Sequence, residues 1–273
     1  MNDKTTESGL SSDVTEVRAQ KLAKLRETVA EVYPAHFHRT MTNQELAEKY
    51  ADIEPDTLTG DIITVAGRVY SSRNSGMFMD IHDASGKVQI FSHKDTTPQE
   101  ARDLLPLIDM GDIIGVTGEV RRTKRGELTV NAHEITMLTK ALLPMPEKWH
   151  GVSDIELRYR KRHLDILTNE DSKLRFQQRS KIVSGIRRFM EDEGFMEIET
   201  PMLHSVYGGA TAEPFKTHHN TLKLDMYLRI APELYLKRAL VSGLTDKVFE
   251  VNRNFRNEGV STRHNPEFTM LEC

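Results

Sequence analysis

A single cysteine, Cys273, stands in the whole chain. That excludes an internal disulfide and a cysteine-based zinc site, and it makes a reducing cytoplasm the simplest compartment. No apolar run approaches the roughly 18 residues of a membrane span. The opening MNDKTTESGLSSD lacks the apolar core of a secretory leader. Basic charge is not in excess: 37 lysines and arginines face 41 aspartates and glutamates, for a net charge of −4 and a sequence pI near 6.3. This argues against a non-specific polyanion binder and leaves room for a local basic face. No G-x-x-x-x-G-K-[ST] occurs, which disfavours a P-loop nucleotide hydrolase. Internal repeats are absent too. What remains is 38% hydrophobic and 29% charged residues over 273 positions, with a mean hydropathy of −0.51. Such a chain is long enough for two domains, each with its own core.

Residues 1–15, rich in Ser, Thr, Asp, Asn and Glu, are expected to be a disordered tail. A helical segment covers 16–60: Val17, Leu22, Leu25 and Val29 recur at helical spacing up to Tyr33-Pro34, and Thr42 is an N-cap for a short helix over 43–50. Residues 61–140 are strand-rich, with runs at 61–73, 76–83, 86–95, 111–122 and 126–139, and a helical stretch at 97–110 broken by Pro106. The order β-β-β-α-β-β, with glycines where strands must bend, fits a five-stranded barrel of the OB type; a β-rich domain with another task fits the order equally well. Residues 141–155, with two prolines, read as a linker. In 156–273 a long helix is predicted from Glu170 to Glu193, with Ile182, Val183, Ile186, Phe189 and Met190 on one face and Gly194 at its C-cap. A Gly208-Gly209 turn, a strand over 222–230 and a helix over 232–242 follow.

The last twenty residues, NFRNEGVSTRHNPEFTMLEC, carry the most chemistry. As a strand, 248–258 puts Phe249, Val251, Arg253, Phe255 and Asn257 on one face and Glu250, Asn252, Asn254, Arg256 and Glu258 on the other. A turn over 259–265 leads into a return strand on which Phe268, Met270 and Glu272 share a face. Arg256, Glu258, Phe268 and Glu272 can then surround one patch. A planar guanidinium fork, an aromatic plate and amine acceptors suit a nucleotide together with an amino acid. A solvated sheet face fits the pattern as well.

FRNEGVSTRHNPEFTMLE resembles motif 2 of the class II aminoacyl-tRNA synthetases, in the form found in lysyl-tRNA synthetases. GFMEIETPML (194–203), with Pro201, resembles motif 1. GGATAEPFKTHHNTLKLDMYLRIAPELYLKR (208–238) is similar to the segment between those motifs, and VAGRV, GKVQIF and GELTV to the anticodon-binding OB domain of the lysine enzymes. The likeness runs from about Val14 to Cys273. It implies an α+β fold: an N-terminal five-stranded OB-type β-barrel, then the first part of a class II antiparallel-sheet catalytic domain with flanking helices.

The resemblance further implies ATP-dependent activation of L-lysine to lysyl-adenylate and transfer to tRNA(Lys), by a cytoplasmic homodimer that does not use a membrane. Arg256 and Glu258 would be catalytic. Arg256, Glu258, His264, Asn265 and Phe268 would bind ATP, with Arg256 bridging the α-phosphate and the lysine carboxylate and Phe268 stacking on adenine. Gly209, Glu233, Arg256 and Glu272 would line the lysine pocket, where Glu233 favours an ammonium over an aspartate side chain. Arg73, Phe78, Gln89 and Glu127 would read the anticodon, and Pro201 would lie at the dimer interface. After Gly209 only Gly243 and Gly259 remain, so the glycine-rich motif 3 is missing, and ligands for Mg2+ are expected beyond residue 273. The chain is therefore expected to be an N-terminal portion, inactive alone. Two positions depart from the family pattern: Glu213 stands where a basic residue is usual, and Ser72 where a second arginine is expected. The alternatives are an aspartyl- or asparaginyl-type enzyme and a non-catalytic tRNA-binding paralogue. The run RYRKRH (158–163) is a tRNA-phosphate contact, a solvated cluster or an inter-subunit cluster.

Overall fold

The computed structural model describes residues 10–146 and 154–273. They form two compact units that divide at residues 149/150. The first contains α1 (Leu10–Thr28), α2 (Asn43–Lys49), β1 (Thr57–Arg73), β2 (Phe78–His82), β3 (Lys87–Phe91), α3 (Gln99–Asp103), a 3-10 turn at Leu105–Leu107, β4 (Ile113–Arg122) and β5 (Leu128–Thr139). Residues 10–15, expected as tail, are the first turns of α1. Residues 1–9, and 147–153 of the expected linker, lie outside the described residues.

The five strands close into a barrel in the order β1-β2-β3-β5-β4, antiparallel except for the β3–β5 pair. Strand alternation sends Val65, Val69, Met79, Ile81, Val88, Ile90, Val116, Val120 and Val130 inward. Met79 is therefore core, and Phe78 beside it must face out. Sequence periodicity left that choice open. The β1–β2 hairpin turns on Ser75 and Gly76, at φ 55° and 89°, with the Met77 amide donating to Asn74 O at 3.1 Å. Asn74, at φ 51°, is left-handed as well, so the four residues between Arg73 and Phe78 reverse the chain through three successive positive-φ positions. Thr42 and Glu45 form a reciprocal capping box at α2.

Two devices fix the barrel's ends and curvature. At one end, Lys140, wholly buried, is held by Asp109 (2.5 Å) and Asp112 (2.7 Å), while buried Arg18 of α1 donates to the carbonyls of Ala141, Leu143 and Met110. At the β4–β5 bulge, where register shifts between Thr117 and Gly118, a Cβ on Gly118 would meet Asn131 O at 1.9 Å. Only the absence of a side chain permits that approach.

The second unit contains α4 (Ile155–Arg160), α5 (Arg162–Thr168), α6 (Glu170–Asp192), β6 (Met196–Glu197), β7 (Leu203–His204), β8 (Lys216–His219), β9 (Leu224–Leu228), α7 (Glu233–Val241), β10 (Val248–Phe255) and β11 (Glu267–Glu272). One sheet runs β11-β10-β6 and a second β7-β9-β8. Its β10–β11 and β8–β9 ladders are antiparallel, while β6 joins β10 in parallel. Three expectations need correction. The strand expected over 222–230 shortens to β9 and pairs with β8, whose polar KTHH carries no strand periodicity. β10 stops at Phe255, so Arg256 and Glu258 lie beyond the strand. On α6, Met190 is buried and Val183 and Ile186 are half-buried, whereas Ile182 and Phe189 are exposed; the five residues do not share one buried face. The basic run RYRKRH is partly internal: Arg158 and Arg162 both bind the buried carboxylate of Asp165 at 2.7 Å.

Replacing Gly118 with alanine should destabilise the first unit by about 3 kcal/mol or more, the upper end of overpacking costs. Gly126→Ala should cost less, because it carries only the positive-φ penalty, with nothing within 4 Å of the added Cβ. Thermal unfolding of the two variants measures the difference.

Candidate active site and nucleic-acid interface

The β10–β11 ladder pairs Glu250 with Glu272, Asn252 with Met270 and Asn254 with Phe268, so these residues share one side of the sheet. The opposite side, with Val251, Arg253 and Thr269, borders a groove of about 380 Å³ along α6, where Arg179 donates to Thr269 Oγ1 at 2.9 Å. Just past β10, the Arg256 guanidinium lies over the Phe268 ring, 5.2 Å from its centroid, and its Nε and Nη2 point to Ile230 O at 3.4 Å. The fork and the plate therefore meet on the same side, held by a cation–π contact.

The polar face of β10 is not solvated. Glu250 and Asn254 are 1% exposed, and Glu250 forms an ion pair at 2.8 Å with Arg229, which is wholly buried. Arg229 also donates to Thr200 Oγ1 (2.8 Å) and to the Arg253 carbonyl (2.8 Å). Glu250 accepts from the Thr200 hydroxyl (2.7 Å) and from Asn252 Nδ2 (3.1 Å). Motif-pattern reading missed Arg229, Thr200 and this use of Glu250. The available signal was a lone arginine ending an otherwise apolar strand, MYLRIA.

Gly209 has φ +88°, and a Cβ there would lie 3.1 Å from the Glu233 Cβ and 3.4 Å from the Ala231 Cβ. The backbone thus passes directly over the start of α7. Glu233 pairs with Lys237 one turn on, at 2.5 Å. Burial, and then the negative charge of Glu233, push the Glu272 carboxyl above its ordinary value; Glu250 adds to the rise, and Arg229 and Lys237 oppose it. Glu233, Glu250 and Glu272 therefore act on one another in a neighbourhood that Arg229 and Lys237 also reach. His204 packs against Tyr235 (4.9 Å) and meets Pro201 O at 2.9 Å through Nε2. Burial lowers its pKa, and because a carbonyl oxygen only accepts, Nε2 carries the proton that bonds to it.

Other expected site residues are not drawn in. Glu258, His264 and Asn265 are exposed on the 256–266 loop. His264 bonds to Ser261 at 2.8 Å, and the Glu258 side chain makes no hydrogen bond among the described residues. Pro201 is exposed. Glu213 contributes its backbone, accepting from the Asn257 amide at 2.7 Å. No group of three His, Cys, Asp or Glu side chains is placed to hold a metal ion among the described residues. None of the described helices is long and apolar enough to cross a membrane.

On the barrel, Arg73, Phe78, Gln89 and Glu127 line one cavity of about 760 Å³. Phe78 leans on Phe91 (4.9 Å). Gln89 accepts from Thr129 Oγ1 at 3.1 Å, which leaves its amide N–H groups free to donate. Arg73 is exposed, 3.5 Å from Asp80. Phe91 and Arg121, which the sequence reading did not single out, belong to the same face.

The raised Glu272 value has a sign. The folded state holds that proton more firmly than the unfolded chain, so this group's contribution to stability grows as pH falls through the raised value and levels off below the ordinary 4.5. Glu272→Gln should be more stable than the parent at pH 7, with the advantage lost below that ordinary value. Urea unfolding across the pH range measures this.

Comparisons with known proteins agree with this layout. Residues 154–273 match the family described as tRNA synthetases class II (D, K and N), and residues 63–138 match the OB-fold nucleic acid binding domain. The chain is 84% identical over all 273 residues to a lysine--tRNA ligase of Rhizobium johnstonii, covering 55% of that protein. It is 84% identical over 270 residues to one of Agrobacterium fabrum, covering 99% of this chain and 54% of that protein. It is 48% identical over 263 residues to one of Syntrophomonas wolfei, covering 96% of this chain and 52% of that protein. The chain thus spans about 55% of the length of such relatives. With a closed OB barrel, a terminal hairpin whose arginine and phenylalanine share a face, and these matches, residues 154–273 belong to the class II tRNA synthetase (D, K and N) family and residues 63–138 to the OB-fold nucleic acid binding family.

Proposed function

We propose that this chain carries the anticodon-reading barrel and part of the amino-acid-activating site of a lysine--tRNA ligase. The observation that carries the reading is the placement of Arg256 and Phe268 on one side of the β10–β11 hairpin, near the carboxylates of Glu233 and Glu272. An ammonium entering between Glu233 and Glu272 offsets the repulsion between their carboxylates. An aspartate side chain would add to it.

In the reaction, a carboxylate oxygen of L-lysine attacks the α-phosphorus of ATP in line. The bond from that phosphorus to the bridging oxygen breaks, and pyrophosphate leaves. A terminal ribose hydroxyl of tRNA(Lys) then attacks the carbonyl carbon of lysyl-adenylate, and AMP departs. Arg256 spans the two anions that must approach one another, the α-phosphate and the amino-acid carboxylate. Its planar fork cancels their repulsion and aligns them. Phe268 supplies the plate for adenine, and Gly209 leaves room for the substrate amine against the backbone. Glu258, His264 and Asn265 close over the nucleotide from the 256–266 loop. ATP is used with Mg2+ across the family; the described residues form no cluster for that ion, and no step here is routed through it. A homodimer built on the segment around Pro201, and work in the cytoplasm, belong to the same proposal.

The test joins the chain to the remainder of the R. johnstonii relative and follows exchange of pyrophosphate into ATP. Lysine-dependent exchange is expected, and Arg256→Ala should slow it about 10²–10³-fold, as for loss of one transition-state donor. Exchange driven by aspartate or asparagine contradicts the lysine assignment. RNA binding without exchange identifies a non-catalytic tRNA-binding protein.

A further inference from the structure

Beneath the candidate active site one buried side chain has polar atoms that the chain itself leaves unused. Asn254 is 1% exposed, and both its Oδ1 and its Nδ2 lack a hydrogen-bond partner among the described residues. No other described side chain buries two such atoms. Asn252, on the same strand, shows the contrast. Its Nδ2 donates to Glu250 at 3.1 Å and its Oδ1 accepts from the Arg253 amide at 2.8 Å. A buried amide with neither atom bonded costs stability, and a leucine of similar outline avoids that cost. Asn254 lies opposite Phe268 in the β10–β11 ladder, so the two share a side, with Cβ atoms about 5 Å apart. Over the Phe268 ring lies the Arg256 guanidinium. The unused amide therefore sits at the foot of both the fork and the plate.

Two guanidiniums flank this part of β10, and they differ in freedom. Arg229 is wholly buried and fixed, with Nε on the Arg253 carbonyl and Nη1 on Thr200 and Glu250. Arg256 is held loosely: its Nε and Nη2 reach a single carbonyl, Ile230 O, at 3.4 Å, longer than an ordinary N–H···O bond. In the activation step this guanidinium turns to span the α-phosphate and the lysine carboxylate. Its outer edge then meets two anions, and its protein-side edge needs an acceptor that keeps the plane of the fork aligned with them.

We propose that Asn254 is a positioning residue for Arg256: its Oδ1 accepts from the guanidinium once that group has turned to the anions. This rests on the activation reading above. Direct contact between Asn254 and a substrate is the competing role, and it differs in observable ways. A substrate contact acts whatever stands at position 256 and shows in KM. Positioning requires the fork and shows in kcat.

The test uses the joined protein and exchange of pyrophosphate into ATP. Asn254→Leu should slow lysine-dependent exchange about tenfold or more, the scale of a hydrogen bond to a charged group. KM for lysine and for ATP should stay within about twofold of the parent. Thermal unfolding should place the variant's midpoint at or above the parent's, because two unpartnered atoms are gone. In an Arg256→Lys background, which keeps the charge and loses the fork, the same change should slow exchange by only about twofold or less. Asn254→Ala replaces the leucine variant in both backgrounds if the larger side chain does not fit. The full effect retained in the Arg256→Lys background overturns the proposal, and with a raised KM it marks a substrate contact. A loss of exchange that matches a loss of folded protein also overturns it, and marks an amide that only supports the fold. An Asn254→Leu variant that exchanges as fast as an active parent overturns the proposal alone, whereas a parent without lysine-dependent exchange overturns the activation reading with it.

Discussion

The buried ion pair between Arg229 and Glu250 is the constraint from which the candidate active site follows. It joins the residue after β9, the middle of β10, and Thr200 in the segment after β6, three pieces of chain far apart in sequence. Burying two opposite charges is expensive unless each finds its partner and its remaining hydrogen bonds. That requirement holds the β10–β11 face in one register. With Glu250 turned inward, alternation along the hairpin brings Phe268 and Glu272 to the same side, and Arg256 follows at the end of the strand. The charge on Glu250 also reaches Glu272, so the pair that fixes the geometry contributes to the electrostatics of the pocket.

The barrel solves a different problem by similar means. Its interior is apolar and closed, so Arg73, Phe78, Gln89 and Phe91 lie on the outer side of the strands. Closure leaves no sheet edge in the barrel, so a face rather than an edge is what it can offer a partner. Phe78 and Phe91 supply flat apolar area there, and Gln89, Arg73 and Glu127 surround it.

Much of this was legible in the sequence, for identifiable reasons. Five strands separated by glycine turns, the α2 cap at Thr42 and the 170–192 helix rest on local signals that tertiary structure did not override. Phe268 and Glu272 could be placed on one face because a strand's side chains alternate with a period of two, and Arg256 meets Phe268 although it lies just past the end of β10. The misses have equally physical causes. Glu250 and Asn254 looked like a solvated face because alternation reports chemical type, not burial, and the cation that neutralises Glu250 lies 21 residues away. The orientation of Phe78 between two methionines could not be decided by polarity, since all three are apolar. Arg121 carries no pattern of its own; its contact with Phe91 emerges only when β3 and β4 are brought together around β5. On α6, Ile182 and Phe189 remain exposed, so apolar spacing predicted the helix and not what covers it.

The central claim is that Arg229 and Glu250 act as one unit that sets the sheet beneath the site. A double-mutant cycle on Arg229→Met and Glu250→Leu, read by urea unfolding of the second unit, tests it most directly. Each single change should cost about 3–5 kcal/mol, because it strands a buried charge. The double variant should cost less than their sum by about 2 kcal/mol or more. Costs that simply add would contradict the account.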